Sequence, residues 1–519
     1  MLRARRDFLK QAALAVTAGA TSGMRSLKLL WTAEDMPVKY EPTWDSLSQY
    51  QVPDWYRDAK FGIFLHWGVY SVPAHSSEWY PRLMYRREDE CFKWHEEHWG
   101  PQSIFGYKDF IPMFKAEHWD PSLWVELFRK AGAKYVVPVG EHHDGFPMYD
   151  SLFTRWNAAK MGPHRDVVGE LAGAVREQGL KVGVSSHRAF DWSYYTFEKD
   201  FDTSNPRFSG LYGTPHAPTP RTNKQPGELR QTVPTDYLQD WYGRTIQIVN
   251  QYQPDLMWFD FGFEGPEWEP YRKAFGAYYY NRAEAWQKGV VVNYKHEAFP
   301  PQTAVLDIER GLLKETPKYP WQTDTSVSWE SWGYVKNDRY KTPGELVREL
   351  IDIVSKNGCL LLNVGPMPDG RIPEPAEQTL LAMGQWLATN GEAIYGTRPW
   401  KVSDEGPTKF NAGQFGEKTE PAFTAQDIRF TSKPGSVYAI ALAQPQGEVT
   451  VRSLGSSAAS GAGLAAGSIE EVRLLGSNTK LDWKQTDSGL RVSAPSSKPG
   501  DFAYVFKVSL KNAQDLRKI

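Results

Sequence analysis

Six short apolar runs in the chain are each followed at once by residues able to carry chemistry. His66 follows FGIFL, His142 and His143 follow YVVPVGE, Ser185 to His187 follow KVGV, Asp260 follows LMWF, Asn293 follows VVV and Asn363 follows LLL. Imidazoles can pass protons, bond hydroxyls or ligate a metal, and a carboxylate can attack, accept a proton or hold a cation. His142 and His143 with Asp144 could form a metal site. Adjacent side chains usually diverge, however, and no H-x-H or H-E-x-x-H spacing accompanies them, which ranks hydrogen bonding to a ligand above a metal. Each residue also has a plainer reading: His66, between Leu65 and Trp67, as a satisfied core histidine, and Asp260 as a helix cap or loop hydrogen-bonder. All six polar groups stand at the same end of their runs, and that shared position points to chemistry.

The apolar runs, at 61–65, 135–139, 181–184, 256–259, 290–292 and 360–362, alternate with segments of helical period, the pattern of βα units around a parallel sheet. Residues 236–249 put Leu238, Trp241, Tyr242, Thr245, Ile246 and Val249 on one stripe, and Leu380, Leu381, Met383, Trp386 and Leu387 form another. In an eight-stranded (β/α)8 barrel the carboxyl ends of the strands converge on one face, where catalytic side chains gather. A doubly wound sheet would usually carry a Gly-rich phosphate-binding turn, and the sequence has neither G-x-G-x-x-G nor a P-loop. The expected fold is therefore α/β: a (β/α)8-like TIM barrel over residues 40–398, then a β-sandwich over 399–519 with short alternating strands at 437–443, 470–475 and 504–510. The polar, Pro-rich stretch 208–234 is expected to overhang the barrel mouth as a loop.

With 60 Lys and Arg against 62 Asp and Glu, the chain has no excess of positive charge to neutralise a phosphate backbone, which argues against nucleic acid as a partner. Its 21 Trp, 26 Tyr and 25 Phe suit stacking against sugar rings, although most must serve packing. Cys91 and Cys359 lie far apart without ligand spacing around either, indicating neither a disulfide framework nor a zinc site. The first 30 residues, with Arg5-Arg6, then Phe8 and Leu9, then small apolar residues to Ala18-Gly19-Ala20, read as a twin-arginine export signal. The expected location is thus periplasmic or secreted. No later run approaches the roughly 20 apolar residues of a membrane span.

Seven blocks are more specific than a fold class: KFGIFLHWGVYSVPAHSSEWYPRLMY (60–85), AGAKYVVPVGEHHDGF (131–146), GPHRDVVGELAGAVREQGLKVGV (162–184), YQPDLMWFDF (252–261), SWGY (331–334), VSKNGCLLLNVGPMPDGRIP (354–373) and NGEAIYGTRPW (390–400). Together they resemble the α-L-fucosidases of glycoside hydrolase family twenty-nine. The resemblance implies a barrel followed by a β-sandwich, no cofactor, and a retaining, exo-acting hydrolase of terminal α-L-fucosyl linkages on an oligosaccharide or glycoconjugate. It implies Asp260 as the nucleophile and Trp258 as an aromatic lining the sugar pocket. His66, Glu78, Trp79, His142 and His143 match residues that bind the sugar hydroxyls, and Trp332 matches an aromatic against which the sugar's methyl group packs.

Such a reaction needs one carboxylate to attack the anomeric carbon and a second, protonated carboxyl to assist the leaving oxygen, about 5 to 5.5 Å away for retention. Many relatives carry a Val-Val-Asn-Asp-Arg block before the acid/base, whereas this chain has VVNYKH and then VLDIERG, so Lys295 replaces the arginine. Asp307 and Glu309 are the nearest carboxylates. Glu309 is the candidate acid/base and Glu78 its rival, while Glu309 beside Arg310 could also be a plain ion pair. Glu141 stands where relatives often have lysine. Ser185-Ser186-His187 stands where tyrosines are common, with His187 carried as a sugar-binding candidate. Two other readings remain open at this stage: a fucose-binding protein that has lost turnover, and a metal-dependent hydrolase built on His142, His143 and Asp144. A homo-oligomer is compatible with these features.

Overall fold

A computed structural model describes residues 38–217, 233–417, 419–457, 463–493 and 500–511. The expected export segment lies outside the described residues, as does 218–232, most of the expected overhanging loop. The part of that loop which is described holds a short helix, Ser209–Tyr212.

Eight parallel strands close into a barrel in sequence order: β1 Phe61–Leu65, β2 Tyr135–Glu141, β3 Lys181–Ser186, β4 Leu256–Phe259, β5 Val291–Tyr294, β6 Val305–Asp307, β7 Trp321–Ser326 and β8 Gly358–Val364, with β8 pairing back onto β1. Buried Phe64, Val137, Leu256, Val291, Val305 and Leu361 form one cluster inside the barrel, which is therefore a packed core. Toward the amino-terminal ends of the strands the interior also holds polar groups. Tyr56 and Tyr135 hydroxyls donate to Gln322 Oε1 at 2.9 and 3.0 Å, and Gln322 Nε2 donates to Asp307 Oδ2 at 2.5 Å. Trp258 Nε1 donates to the same oxygen at 3.1 Å. These hydrogen bonds offset much of the cost of burying polar groups, although Asp307 Oδ1 has no partner among the described residues.

That polar layer explains the two strands the apolar runs do not reveal. The β7 sequence WQTDTS is buried at every position yet carries one apolar residue, and β6 is three residues long. Asn293 likewise does not end its strand: β5 runs on to Tyr294, Asn293 Nδ2 donates to the Tyr56 hydroxyl at 3.2 Å, and Lys295 takes the strand-end position.

Helices sheathe the outside. Thr235–Tyr252 buries Leu238, Trp241, Thr245, Ile246 and Val249 against the sheet. Pro343–Ser355 starts with a capping box in which Thr342 and Glu345 exchange side-chain to backbone hydrogen bonds. After the helix Glu374–Asn390 comes the C-terminal domain. One antiparallel sheet joins β9 Arg398–Glu405, β10 Ile428–Lys433, β11 Ser436–Ala441, β13 Ile469–Leu474 and β16 Tyr504–Leu510. The other joins β12 Glu448–Val451, β14 Trp483–Thr486 and β15 Gly489–Ser493. One apolar cluster, with Phe430, Val437 and Phe506 from the first and Val449, Val451, Leu490 and Val492 from the second, makes the pair a sandwich. A fully buried ion pair between Arg429 on β10 and Asp352 on helix Pro343–Ser355 ties this domain to the barrel. Cys91 and Cys359 are both buried and free. Among the described residues no helix is long and apolar enough to cross a membrane.

Candidate active site

Asp260 emerges from β4 at the carboxyl end of the barrel, and its backbone N–H donates to Ser186 O at 3.3 Å, which fixes the exit from the strand. Its Oδ2 faces His143 Nε2 at 3.0 Å and His187 Nδ1 at 3.2 Å. Its Oδ1 lies 3.3 Å from Lys295 Nζ but takes no hydrogen bond. Burial by itself would push this carboxyl up, but the Lys295 charge and the two imidazole hydrogen bonds outweigh it and hold the group well below the usual carboxylate range. The result is an anion with one lone-pair-bearing oxygen uncommitted.

Four imidazoles surround it: His66, His142, His143 and His187. His66 Nδ1 and the His66 N–H both meet Asn363 Oδ1, at 2.8 and 3.0 Å. An amide oxygen only accepts, so Nδ1 carries the proton and Nε2 is left as an acceptor. His187 accepts at Nε2 from the Ser185 hydroxyl at 3.0 Å and donates from Nδ1 to Asp260, a pattern a neutral ring satisfies. Burial holds His66 and His142 well below the ordinary imidazole value and His187 down at about 4. The rings of His142 lie 5.5 Å from His66 and 4.7 Å from His187, and His142 Nδ1 is buried without a partner among the described residues. A neutral imidazole offers one donor and one acceptor, which matches a hydroxyl-rich, uncharged ligand. His143 differs, because two acceptors face its nitrogens: His187 O at 2.7 Å from Nδ1 and Asp260 Oδ2 from Nε2.

Lys295 is the hub of the acidic side of the site. Its Nζ lies 3.3 Å from Asp260 Oδ1, 2.7 Å from Glu309 Oε2 and 3.3 Å from Asp324 Oδ2. Since one nitrogen touches the first two oxygens at 3.3 and 2.7 Å, those oxygens are no more than about 6 Å apart. Burial opposes the lysine's charge, yet Asp260, Asp324 and Glu309 together hold it well above the ordinary ammonium range. Asp324, on β7, is driven up by burial and by Asp307 beside it. Neither Asp324 nor its position inside the barrel was visible in the sequence, because WQTDTS gives no strand signal. Glu309 does not pair with Arg310. The Arg310 guanidinium instead donates to Ser328 O and Trp329 O at 3.1 and 3.3 Å and lies 4.8 Å from the Trp332 ring centre.

Glu78 stands apart from this cluster. Its Oε2 accepts from the Ser331 hydroxyl at 3.1 Å, Trp332 N–H at 2.9 Å and Gly333 N–H at 3.4 Å, so it fastens the SWGY loop. Asn363 Nδ2 holds the same loop from the other side, donating to Trp332 O at 2.7 Å. Trp332 thereby lies 5.2 Å from His66. Trp258 lies under Lys295 at 4.9 Å, and Trp79 lies 5.3 Å from His143. Glu264, which the sequence did not single out, is pushed up to about 7 by burial, but both its oxygens take the N–H of Gly262 in its own loop, at 3.2 and 3.0 Å.

Metal geometry does not follow the sequence grouping. Asp144 turns away from the histidines, accepting from the Tyr107 hydroxyl at 2.6 Å and Phe146 N–H at 3.2 Å. Two other trios, His66 with His142 and His187, and His143 with His187 and Asp260, have ligand atoms within 4.8 Å of one another. In both, ring nitrogens are already engaged by Asn363, Ser185 or the His187 carbonyl. Glu141 is also outside the pocket chemistry: it is buried between Arg188 at 3.0 Å and Arg244 at 3.3 Å.

The family model described as alpha-L-fucosidase matches residues 29–392, and that described as the alpha-L-fucosidase C-terminal domain matches 422–509. The tissue alpha-L-fucosidase of Rattus norvegicus is 33% identical over 487 residues, spanning 90% of this chain and 91% of the rat protein. That of Homo sapiens is 32% identical over 511 residues, spanning 91% and 92%. Among solved structures, the Thermotoga maritima alpha-fucosidase in complex with fucose is similar at a TM-score of 0.72 and 32% identity, over 90% of this chain and 100% of that one.

Proposed function

Because the chain belongs to the α-L-fucosidase family, we propose that its retaining hydrolysis of terminal α-L-fucosyl linkages runs through Asp260 as nucleophile and Glu309 as acid/base. Asp260 Oδ1 attacks the anomeric carbon while the Glu309 carboxyl gives its proton to the departing glycosidic oxygen. The bond to the aglycone breaks and a β-linked fucosyl ester on Asp260 forms. Glu309, now a carboxylate, then takes a proton from water as the water oxygen displaces Asp260, and fucose leaves with its original configuration. The observation that carries this reading is the shared ammonium: Lys295 touches both carboxylates and keeps them within about 6 Å, near the separation for retention. Lys295 also steadies the charge on Asp260 before attack.

The neutral rings of His66, His142 and His187, with Trp79, Trp258 and Trp332, are the proposed contacts to the sugar. Two carboxylates bridged in one pocket favour turnover over a fucose-binding protein without activity. The substrate is a fucosylated oligosaccharide or glycoconjugate. The Arg5-Arg6 segment supports export by the twin-arginine route to the periplasm or beyond, which cell fractionation with Arg5→Lys and Arg6→Lys together would test.

Azide separates the two carboxylate roles. With an activated aryl fucoside, Asp260→Ala plus azide is expected to give β-fucosyl azide, because azide replaces the nucleophile. Glu309→Ala plus azide is expected to give the α-azide, because it replaces the second-step water. An α-azide from Asp260→Ala, or no rescue at Glu309, would refute the assignment.

A further inference from the structure

We infer that Glu417, on a segment beyond the barrel, is a positioning residue for Glu309, an inference that rests on Glu309 being the acid/base. Residues 411–417 fall between the two spans that match the family models, yet they dock on the loop that carries Glu309. Phe415 N–H donates to Glu309 O at 3.0 Å, Glu417 N–H to Arg310 O at 3.4 Å and Gly413 N–H to Leu312 O at 2.8 Å. Leu312 and Gly413 form an antiparallel bridge. The loop is therefore held by this segment as well as by β7, whose Asp324 O accepts from the Arg310 N–H at 2.8 Å.

The Glu417 side chain, 2 % exposed, runs inward from this segment to β7. Its Oε2 accepts from the Thr325 hydroxyl at 2.7 Å and from Lys341 Nζ at 2.5 Å, and lies 4.0 Å from Arg310 Nη1. Thr325 is next to Asp324, the third carboxylate on Lys295, and Arg310 is next to Glu309 and stacks on Trp332. Arg310 holds a left-handed backbone at φ 43°, a conformation an arginine keeps only when its surroundings fix it. Backbone bonds and one buried carboxylate thus couple the segment to the acid/base, to the Lys295 cluster and to the aromatic wall of the pocket.

The test exploits leaving-group chemistry. A good leaving group needs little protonation and a poor one needs it fully, so a displaced acid/base slows the poor substrate selectively. Values of kcat/KM, which report formation of the fucosyl ester, are to be measured with 2-chloro-4-nitrophenyl α-L-fucoside and with methyl α-L-fucoside. Glu417→Gln keeps the shape and removes the charge. Gly413→Pro, at an exposed position with φ 101°, removes an N–H and a backbone conformation proline cannot adopt, without touching the buried charges. Both variants are expected to lose roughly tenfold or more on the methyl fucoside beyond any loss on the aryl one. Equal losses on the two substrates, in both variants, would overturn the inference and leave Glu417 a purely structural group. Glu309→Ala is the control: if it shows no such selectivity, the acid/base assignment fails and not the coupling.

Discussion

Lys295 Nζ sits 2.7 Å from Glu309 Oε2, closer than it sits to either Asp260 or Asp324. One ammonium balances three carboxyls in a buried site, where uncompensated charge is expensive. Lys295→Met is expected to lower stability by about 3 to 5 kcal/mol, the usual effect of removing one partner from a buried ion pair. It should also lower kcat/KM by at least about 100-fold, because the nucleophile loses the charge that keeps it ionised. Thermal unfolding and steady-state kinetics on the same preparation check both; full activity in a destabilised variant would remove Lys295 from the reaction.

The histidine cluster makes the fold acid-sensitive. His187 has an ordinary value of 6.5 and a folded value of about 4. A depressed folded value contributes stability above the unfolded value and loses it as pH falls through the folded one. Over the window from 6.5 down to 4 the shift is worth roughly 3 kcal/mol, and burial pushes His66 and His142 in the same direction. Tm should drop across that window, and His187→Gln should flatten part of the slope. An identical pH slope in wild type and variant would show that His187 is not held neutral.

Glu141 offers the opposite test, a charged residue next to His142 whose work is structural. It is 1 % exposed and bridges Arg188 and Arg244, which also share Asp240 at 3.0 and 2.8 Å. Glu141→Gln should cost about 3 kcal/mol of stability by leaving a buried arginine pair short of an anion. KM and kcat of the folded fraction should change little, since the Glu141 carboxylate meets Arg188 and Arg244 and not the pocket. A large change in KM would make Glu141 a subsite residue.

The strand-end rule explains how much of this was legible. FGIFL and LMWF mark β1 and β4 to the residue, because both are buried apolar runs ending in a polar side chain. His66, His142, His187 and Asp260 therefore stood out as one convergent set. The acidic half did not, for a physical reason: its residues lie in a polar interior. Asp324 sits in a strand of glutamine, threonine and serine, buried with Lys295 beside it and with Gln322 and Trp258 both donating to neighbouring Asp307. No periodicity signals a strand of that kind. Lys295 was visible only as a departure from the arginine of relatives, and the three-way contact it makes depends on distances that sequence does not contain.

Glu78 and Glu309 were rivals for one role, and their hydrogen bonding separates them. Glu309 shares the Lys295 ammonium with Asp260, which places it beside the nucleophile, whereas Glu78 Oε2 is taken by the Ser331 hydroxyl and the Trp332 and Gly333 N–H groups of a loop. Burial raises its value against the pull of those donors, but the donors still tie the carboxyl to the loop. Glu78→Ala should release the Trp332 loop. KM should then rise with aryl and methyl fucosides alike, by roughly 10-fold or more if the loop's contact with the sugar is worth a hydrogen bond or a stacked ring. Azide should leave the rate unchanged, since no second-step base is missing. Restoration by azide, with α-fucosyl azide as product, would instead make Glu78 the acid/base and reduce the Lys295–Glu309 contact to an ion pair at the edge of the pocket.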